Sequence, residues 1–151
     1  MDIAIGADHG GFQLKAILLD HLRKLGHSVH DLGAANSEPS DYPDYARAVA
    51  NALIDGRAER GILICGSGVG ASVGANKFPG IRAAVCHDAF SAHQGVEDDN
   101  MNVLCLGARV VGPELAKDIV RTYLGAAFSG AERHKRRLEK IRNIEKEYMK
   151  L

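Results

Sequence analysis

The chain lacks an excess of either charge. Nineteen lysines and arginines meet nineteen aspartates and glutamates, so no overall field draws it to nucleic acid or to a membrane surface. Long hydrophobic runs are also missing: none approaches the roughly 20 apolar residues of a membrane span, and no charged-then-apolar leader precedes the first strand pattern. Cysteine is scarce and unpaired in pattern. Cys65, Cys86 and Cys105 stand far apart without CxxC spacing, which suggests neither a zinc site nor a disulfide framework. Internal repeats and low-complexity segments are absent as well. What remains is a cytoplasmic protein of one domain over residues 1–151, with no metal or cofactor called for and small molecules as partners. At 151 residues and 46% apolar composition the chain can bury a substantial core.

The stretch Gly61–Lys77, GILICGSGVGASVGANK, carries the strongest local signal. Ile62, Leu63, Ile64 and Cys65 form an apolar run of the kind a strand buried on both faces shows. Gly66, Ser67, Gly68, Val69 and Gly70 then make a glycine-rich turn, and small residues at helical spacing follow. A strand, such a turn and a helix start leave backbone N–H groups without intrahelical partners, which is an anion site. Cys65 stands on its lip. Cysteine elsewhere is most often a small buried hydrophobe, but at this position a thiolate can be stabilised as base or nucleophile.

Along the rest of the chain strand and helix alternate. Ile3–Ile5 reads as a first strand, followed by Asp8, His9, Gly10 and Gly11. Phe12, Leu14, Ile17, Leu18, Leu22 and Leu25 recur at helical steps up to Gly26, placed as a C-terminal cap glycine. Ser28–Leu32 is a strand nearer a sheet edge. Residues 36–43 form a polar loop, with Asp41 and Pro43 starting a helix through Tyr45, Val49 and Leu53. Ile81–Cys86 is a fourth strand, Ala89–Glu97 a helix, Asn102–Leu106 a fifth strand, and Pro113 opens another helix. Residues 131–150 predict a highly charged C-terminal helix with only a narrow apolar stripe. Repeated β-α units imply an α/β fold: a single three-layer αβα Rossmann-like domain with a mostly parallel five-stranded sheet. Asp8 and His9, Cys65–Gly70, His87 and Asp88, and Arg109 would all gather on its carboxyl edge.

Five blocks resemble the B-type ribose-5-phosphate isomerases, in the superfamily that also holds galactose and allose phosphate isomerases. They are Asp8-His9-Gly10-Gly11, ICGSGVG at 64–70, ANKFPGIRAA at 75–84, NVLCLGARVVG at 102–112 and ERHKRR at 132–137. The resemblance implies a metal-free aldose-ketose isomerase that works through an enediolate, with ribose 5-phosphate to ribulose 5-phosphate as the leading reaction. Cys65 matches the family's base. Ser67 with the N–H groups of Gly68, Val69 and Gly70 would hold the developing oxyanion, and Asp8, His9, Gly66 and Arg109 would bind substrate. Taken alone, Asp8 reads equally well as a helix N-cap. Arg133 and Arg137, one turn apart, match the family's phosphate clamp, although a charged run by itself is usually a solvated face. The family's site lies between two subunits, so a homodimer or tetramer is implied, with residues 131–150 completing the site or the interface.

One block departs from the pattern. Asp98 stands where most members carry a ring-opening histidine, and Asp99 where asparagine is usual. A carboxylate is a poor acid at neutral pH unless its surroundings raise its pKa, so ring opening falls to Asp98, to His87 or His93, or the sugar differs. Two other classes stay open. The glycine-rich turn with Asp88 some 20 residues on mimics a dinucleotide fingerprint, and the chain could be a non-catalytic sugar-phosphate-binding subunit.

Overall fold

A computed structural model describes residues 1–150. Five strands and six helices follow in the order β1 (Asp2–Ala7), α1 (Phe12–Lys24), β2 (Ser28–Asp31), α2 (Tyr42–Ile54), β3 (Arg60–Cys65), α3 (Val69–Ala75), β4 (Ala83–Val85), α4 (Ala89–Asp99), β5 (Val103–Gly107), α5 (Pro113–Gly125) and α6 (Glu132–Tyr148). The strands form one sheet in the order β2-β1-β3-β5-β4, and every pairing is parallel. β3, the most continuously apolar strand, takes the centre. The alternating β2 lies on an edge, where one solvated face is tolerated.

Strand alternation sorts the core into two layers. Ile3, Ile5, Ile62, Ile64, Leu104 and Leu106 face one side with α1, α4 and α5. Ala4, Leu63, Cys65, Val103 and Cys105 face the other with α2 and α3. The second layer is built of small residues, because Ala46, Ala50, Ala71 and Ala75 let α2 and α3 approach closely. Buried polar groups tie the layers. Tyr123 donates to the Gly61 carbonyl at 3.2 Å, and Arg60 donates to the Ala126 carbonyl at 2.5 Å and to that of Tyr123. Burial raises the Tyr123 phenol above its ordinary pKa, so it stays a donor.

β4 is shorter than the apolar run Ile81–Cys86 predicts. Only Ala83–Val85 pair with Val103–Cys105, because asparagine side chains replace the ladder at the strand's start. The Asn102 amide oxygen accepts the Arg82 N–H at 2.8 Å and that of Asn76 accepts the Ala83 N–H at 2.9 Å. The first helix ends at the positive-φ Gly26, as its pattern predicts. Tyr42, read as loop, is instead the first residue of α2, whose N-cap is Asp41.

Candidate active site

Parallel pairing sets the ends of β1, β3 and β5 side by side, with Ala7 beside Ile64 and Cys65 beside Gly107. At this edge a cleft of about 480 Å3 is lined by Asp8, Tyr42, Cys65, Gly66, Ser67, Gly70, Arg109 and Val110. The turn after β3 wraps around the cysteine. Gly68 takes φ +82°, a left-handed conformation that glycine adopts at little cost, and this points its N–H at Cys65 Sγ, 3.1 Å away. The Val69 N–H is likewise taken, donating to Ser67 Oγ at 3.2 Å. Of the three amides expected to face an oxyanion at Gly68, Val69 and Gly70, only that of Gly70 makes no hydrogen bond among the described residues. The Gly68 and Val69 amides thus hold the thiol and the serine in place.

The turn rests on β5. A Cβ at Gly107 would lie 2.6 Å from the Ser67 carbonyl oxygen, closer than packed atoms come, while one at Gly112 would meet nothing within 4 Å. Gly107→Ala is therefore expected to destabilise the fold by about 1–3 kcal/mol, the usual range for overpacking, and to cut turnover by displacing Ser67. Gly112→Ala should leave both unchanged, and thermal unfolding with steady-state assays on the two variants checks the contrast.

The three cysteines sort by surroundings. Cys105 is fully buried in the sheet, and burial keeps it a thiol. Burial and the nearby Asp88 carboxylate push Cys86 up to about 11. Cys65 alone lines a cleft, with 5% exposure and an amide dipole against its sulfur.

The N-cap of α1 is Gly11, with no side-chain cap hydrogen bond, so Asp8 is not the helix cap and instead braces the turn before it. Asp8 Oδ1 accepts the N–H groups of Gly10 and Gly11 at 2.9 and 3.2 Å, fastening the turn into α1, and the same residue lines the cleft. His9 Nδ1 lies 3.1 Å from both the backbone nitrogen and the carbonyl oxygen of Ser40, and the His9 backbone N–H donates to Ser40 Oγ at 3.1 Å, so this loop holds the ring. His9 and Arg109 line an adjoining cavity of about 420 Å3, so Arg109 borders both spaces. Tyr42 and Val110 are site residues that the sequence reading missed. A single tyrosine ahead of a proline in a polar loop carries no periodic signal.

Seven expected residues do not line this cleft within one chain: His9, in the adjoining cavity, Gly68 and Val69, within the turn, and Asp98, Asp99, Arg133 and Arg137. Arg133 and Arg137 are exposed on α6 and make no ion pair among the described residues. Asp99 borders a separate apolar groove of about 390 Å3 between α6 and the β4 edge. Asp98 Oδ2 accepts from Gln94 Nε2 at 2.6 Å, and its Oδ1 lies 3.4 Å from His134 Nε2. The two histidines considered as substitutes are also engaged. His87 Nε2 accepts the Gly107 N–H at 2.9 Å, and His93 Nε2 contacts Glu97 on the surface. Asp88 caps α4 by accepting the Ser91 N–H at 2.7 Å, which accounts for it without a nucleotide. Among the described residues no cluster of three or more His, Cys, Asp or Glu side chains is arranged to hold a metal, and no helix is long and apolar enough to cross a membrane.

Residues 3–141 match the Ribose/Galactose Isomerase family model. The chain is 51% identical over 143 residues to ribose-5-phosphate isomerase B of Escherichia coli, covering 95% of each chain. It is 47% identical over 131 residues to D-erythrulose-4-phosphate isomerase of Pectobacterium atrosepticum, covering 86% of each. Ribose-5-phosphate isomerase B of Clostridium thermocellum superposes with a TM-score of 0.96 at 51% identity, over 98% of this chain and 99% of that one. With its parallel sheet and cysteine-lipped turn, the chain belongs to the ribose/galactose isomerase family, whose members are aldose-ketose isomerases of sugar phosphates.

Proposed function

We propose that this protein interconverts ribose 5-phosphate and ribulose 5-phosphate, with Cys65 as the base. The observation that carries the reading is Cys65 lining the cleft with its Sγ 3.1 Å from the Gly68 amide, in a chain half identical to a ribose-5-phosphate isomerase. The thiolate removes the C2 proton of the open-chain aldose, which is acidified by the C1 carbonyl. Negative charge moves to O1, where the Ser67 hydroxyl and the Gly70 amide stand as dipoles already oriented before it forms. Moving the O2 hydroxyl proton to O1 and returning the abstracted proton to C1 yields the ketose. Asp8, His9 and Arg109 bind the sugar and its phosphate.

Arg133 and Arg137 do not line the Cys65 cleft of their own chain, and we place them at the neighbouring subunit's cleft in a homodimer. The apolar surface supports this arrangement. Val69, Val73 and Val110 are each more than half exposed around the cleft mouth, and Phe90 is 77% exposed at the start of α4. A reducing, cytoplasmic setting is supported by three free cysteines.

A second reading concerns the sugar. Asp98 has one carboxylate oxygen hydrogen-bonded to Gln94 and the other turned to His134 at 3.4 Å, which leaves it ill suited to open a sugar ring. A tetrose 4-phosphate needs no opening, because its C4 oxygen is esterified and cannot close a furanose. The similarity to the P. atrosepticum enzyme favours testing such a substrate. Assays of the purified protein on ribose 5-phosphate, erythrulose 4-phosphate and allose 6-phosphate discriminate the readings. The pentose is expected to give the highest kcat/KM. Preference for the tetrose would support the open-chain reading, and no turnover of any would support the binding-subunit alternative.

A further inference from the structure

Helix α6 is weakly anchored. Only His134 and Leu138 are buried along it, while Ile141 and Ile144 remain 39% and 58% exposed. Yet this helix carries the two arginines assigned to phosphate, so something must set its orientation about its own axis.

His134 is 3% exposed and every polar atom around it has a partner. Ser129 Oγ accepts the Ala131 N–H at 3.2 Å, so its own hydroxyl proton is free to donate to His134 Nδ1, 2.5 Å away. That bond places the ring proton on Nε2, which faces Asp98 Oδ1 at 3.4 Å. The second oxygen of Asp98 is held by Gln94 Nε2 at 2.6 Å, and the Ser129 N–H donates to the Glu97 carbonyl at 2.9 Å. The chain Ser129–His134–Asp98–Gln94 thus joins the first turn of α6 to the last turn of α4.

We propose that Asp98 is a positioning residue, which acts through His134 to fix the rotation of α6 and so the aim of Arg133 and Arg137. The inference rests on the reading of these arginines as the phosphate clamp. His134 lies within about 60–100° of both arginines around a helix of 3.6 residues per turn, so it cannot swing away without moving them. A rotation of about 20° shifts groups at the helix's outer radius of about 5–6 Å by about 2 Å, enough to misalign a two-armed clamp. The two roles for Asp98 differ in what its charge must do. A residue that moves a proton needs an ionisable carboxyl; a latch needs only an acceptor toward His134 and a partner for Gln94, which asparagine supplies once the Gln94 amide turns over.

The test uses the full chain with Asp98→Ala, Asp98→Asn, His134→Ala and the Asp98→Ala/His134→Ala pair, titrated with inorganic phosphate by calorimetry and assayed on ribose 5-phosphate. Asp98→Ala and His134→Ala should each weaken phosphate binding and raise KM by about tenfold, the scale of a misaligned charge-assisted hydrogen bond, with kcat within about threefold. The double variant should be no worse than either single one, and Asp98→Asn should stay near wild type. Loss of kcat in Asp98→Asn, or unchanged phosphate affinity in Asp98→Ala, overturns the proposal. Should Asp98→Ala fail to fold, the Asp98→Asn result still decides. A wild type inactive on ribose 5-phosphate would refute the choice of sugar, while the phosphate titrations would still judge Asp98.

Discussion

Cys65→Ala is expected to lower isomerase turnover by about 10^2- to 10^4-fold, the usual contribution of a positioned general base, while leaving inorganic phosphate binding within about twofold of wild type. The split follows from geometry. The thiol lines the cleft with the Gly68 amide aimed at its sulfur, and alanine removes it without touching Arg109 or the arginines of α6. The substitution also deletes only a small side chain that is 5% exposed at the core's edge, so the fold should persist. Cys65→Ser tests the chemistry more finely, because serine keeps the shape but ionises far less readily than a thiol. Single-turnover assays and phosphate calorimetry on both variants give the comparison. Retained turnover in Cys65→Ala would remove Cys65 from the base role.

Arg133→Ala or Arg137→Ala should weaken sugar-phosphate binding by about 1.5–3 kcal/mol, the range for a hydrogen bond to a charged group, or roughly 10- to 150-fold. Unphosphorylated sugars should lose much less. Equal loss for both classes would mean that the arginines are structural. Neither residue lines the Cys65 cleft of its own chain, so the shared-site arrangement makes a sharper demand. When Cys65→Ala and Arg137→Ala chains are mixed and allowed to exchange, half the dimers should be mixed and each should hold one intact site. About a quarter of wild-type activity should then return in a closed two-fold dimer. No recovery, in a mixture shown by native mass spectrometry to contain mixed dimers, would place the arginines and Cys65 in one chain's site.

The similarity of the chain to its relatives carries the family; the local readings carry the fold. β3 was legible because four apolar residues between glycines leave few other conformations, and α1 because its apolar residues recur at helical spacing and stop at Gly26. The turn at residues 66–70 was legible for the same reason: glycines cluster where a backbone must bend sharply. β4 was overread, since an apolar run reports burial and not the partner of its amides, and Asn76 and Asn102 took two of those. Tyr42 and Val110 were invisible because a lone side chain in a loop has no period to betray it.

Periodicity, glycine turns and caps all act over a few neighbouring residues, and they suffice for the order of elements, the parallel sheet and the place of Cys65 at a strand's end. Which amides remain free at the turn, the bond from Gln94 to Asp98 and the approach of His134 to it, and the absence of the α6 arginines from their own chain's cleft are visible only in three dimensions. Those outcomes depend on packing between segments distant along the chain. Asp98 and His134 are 36 residues apart, and nothing in the spacing of either announces the other: their meeting is set by how α6 settles on α4.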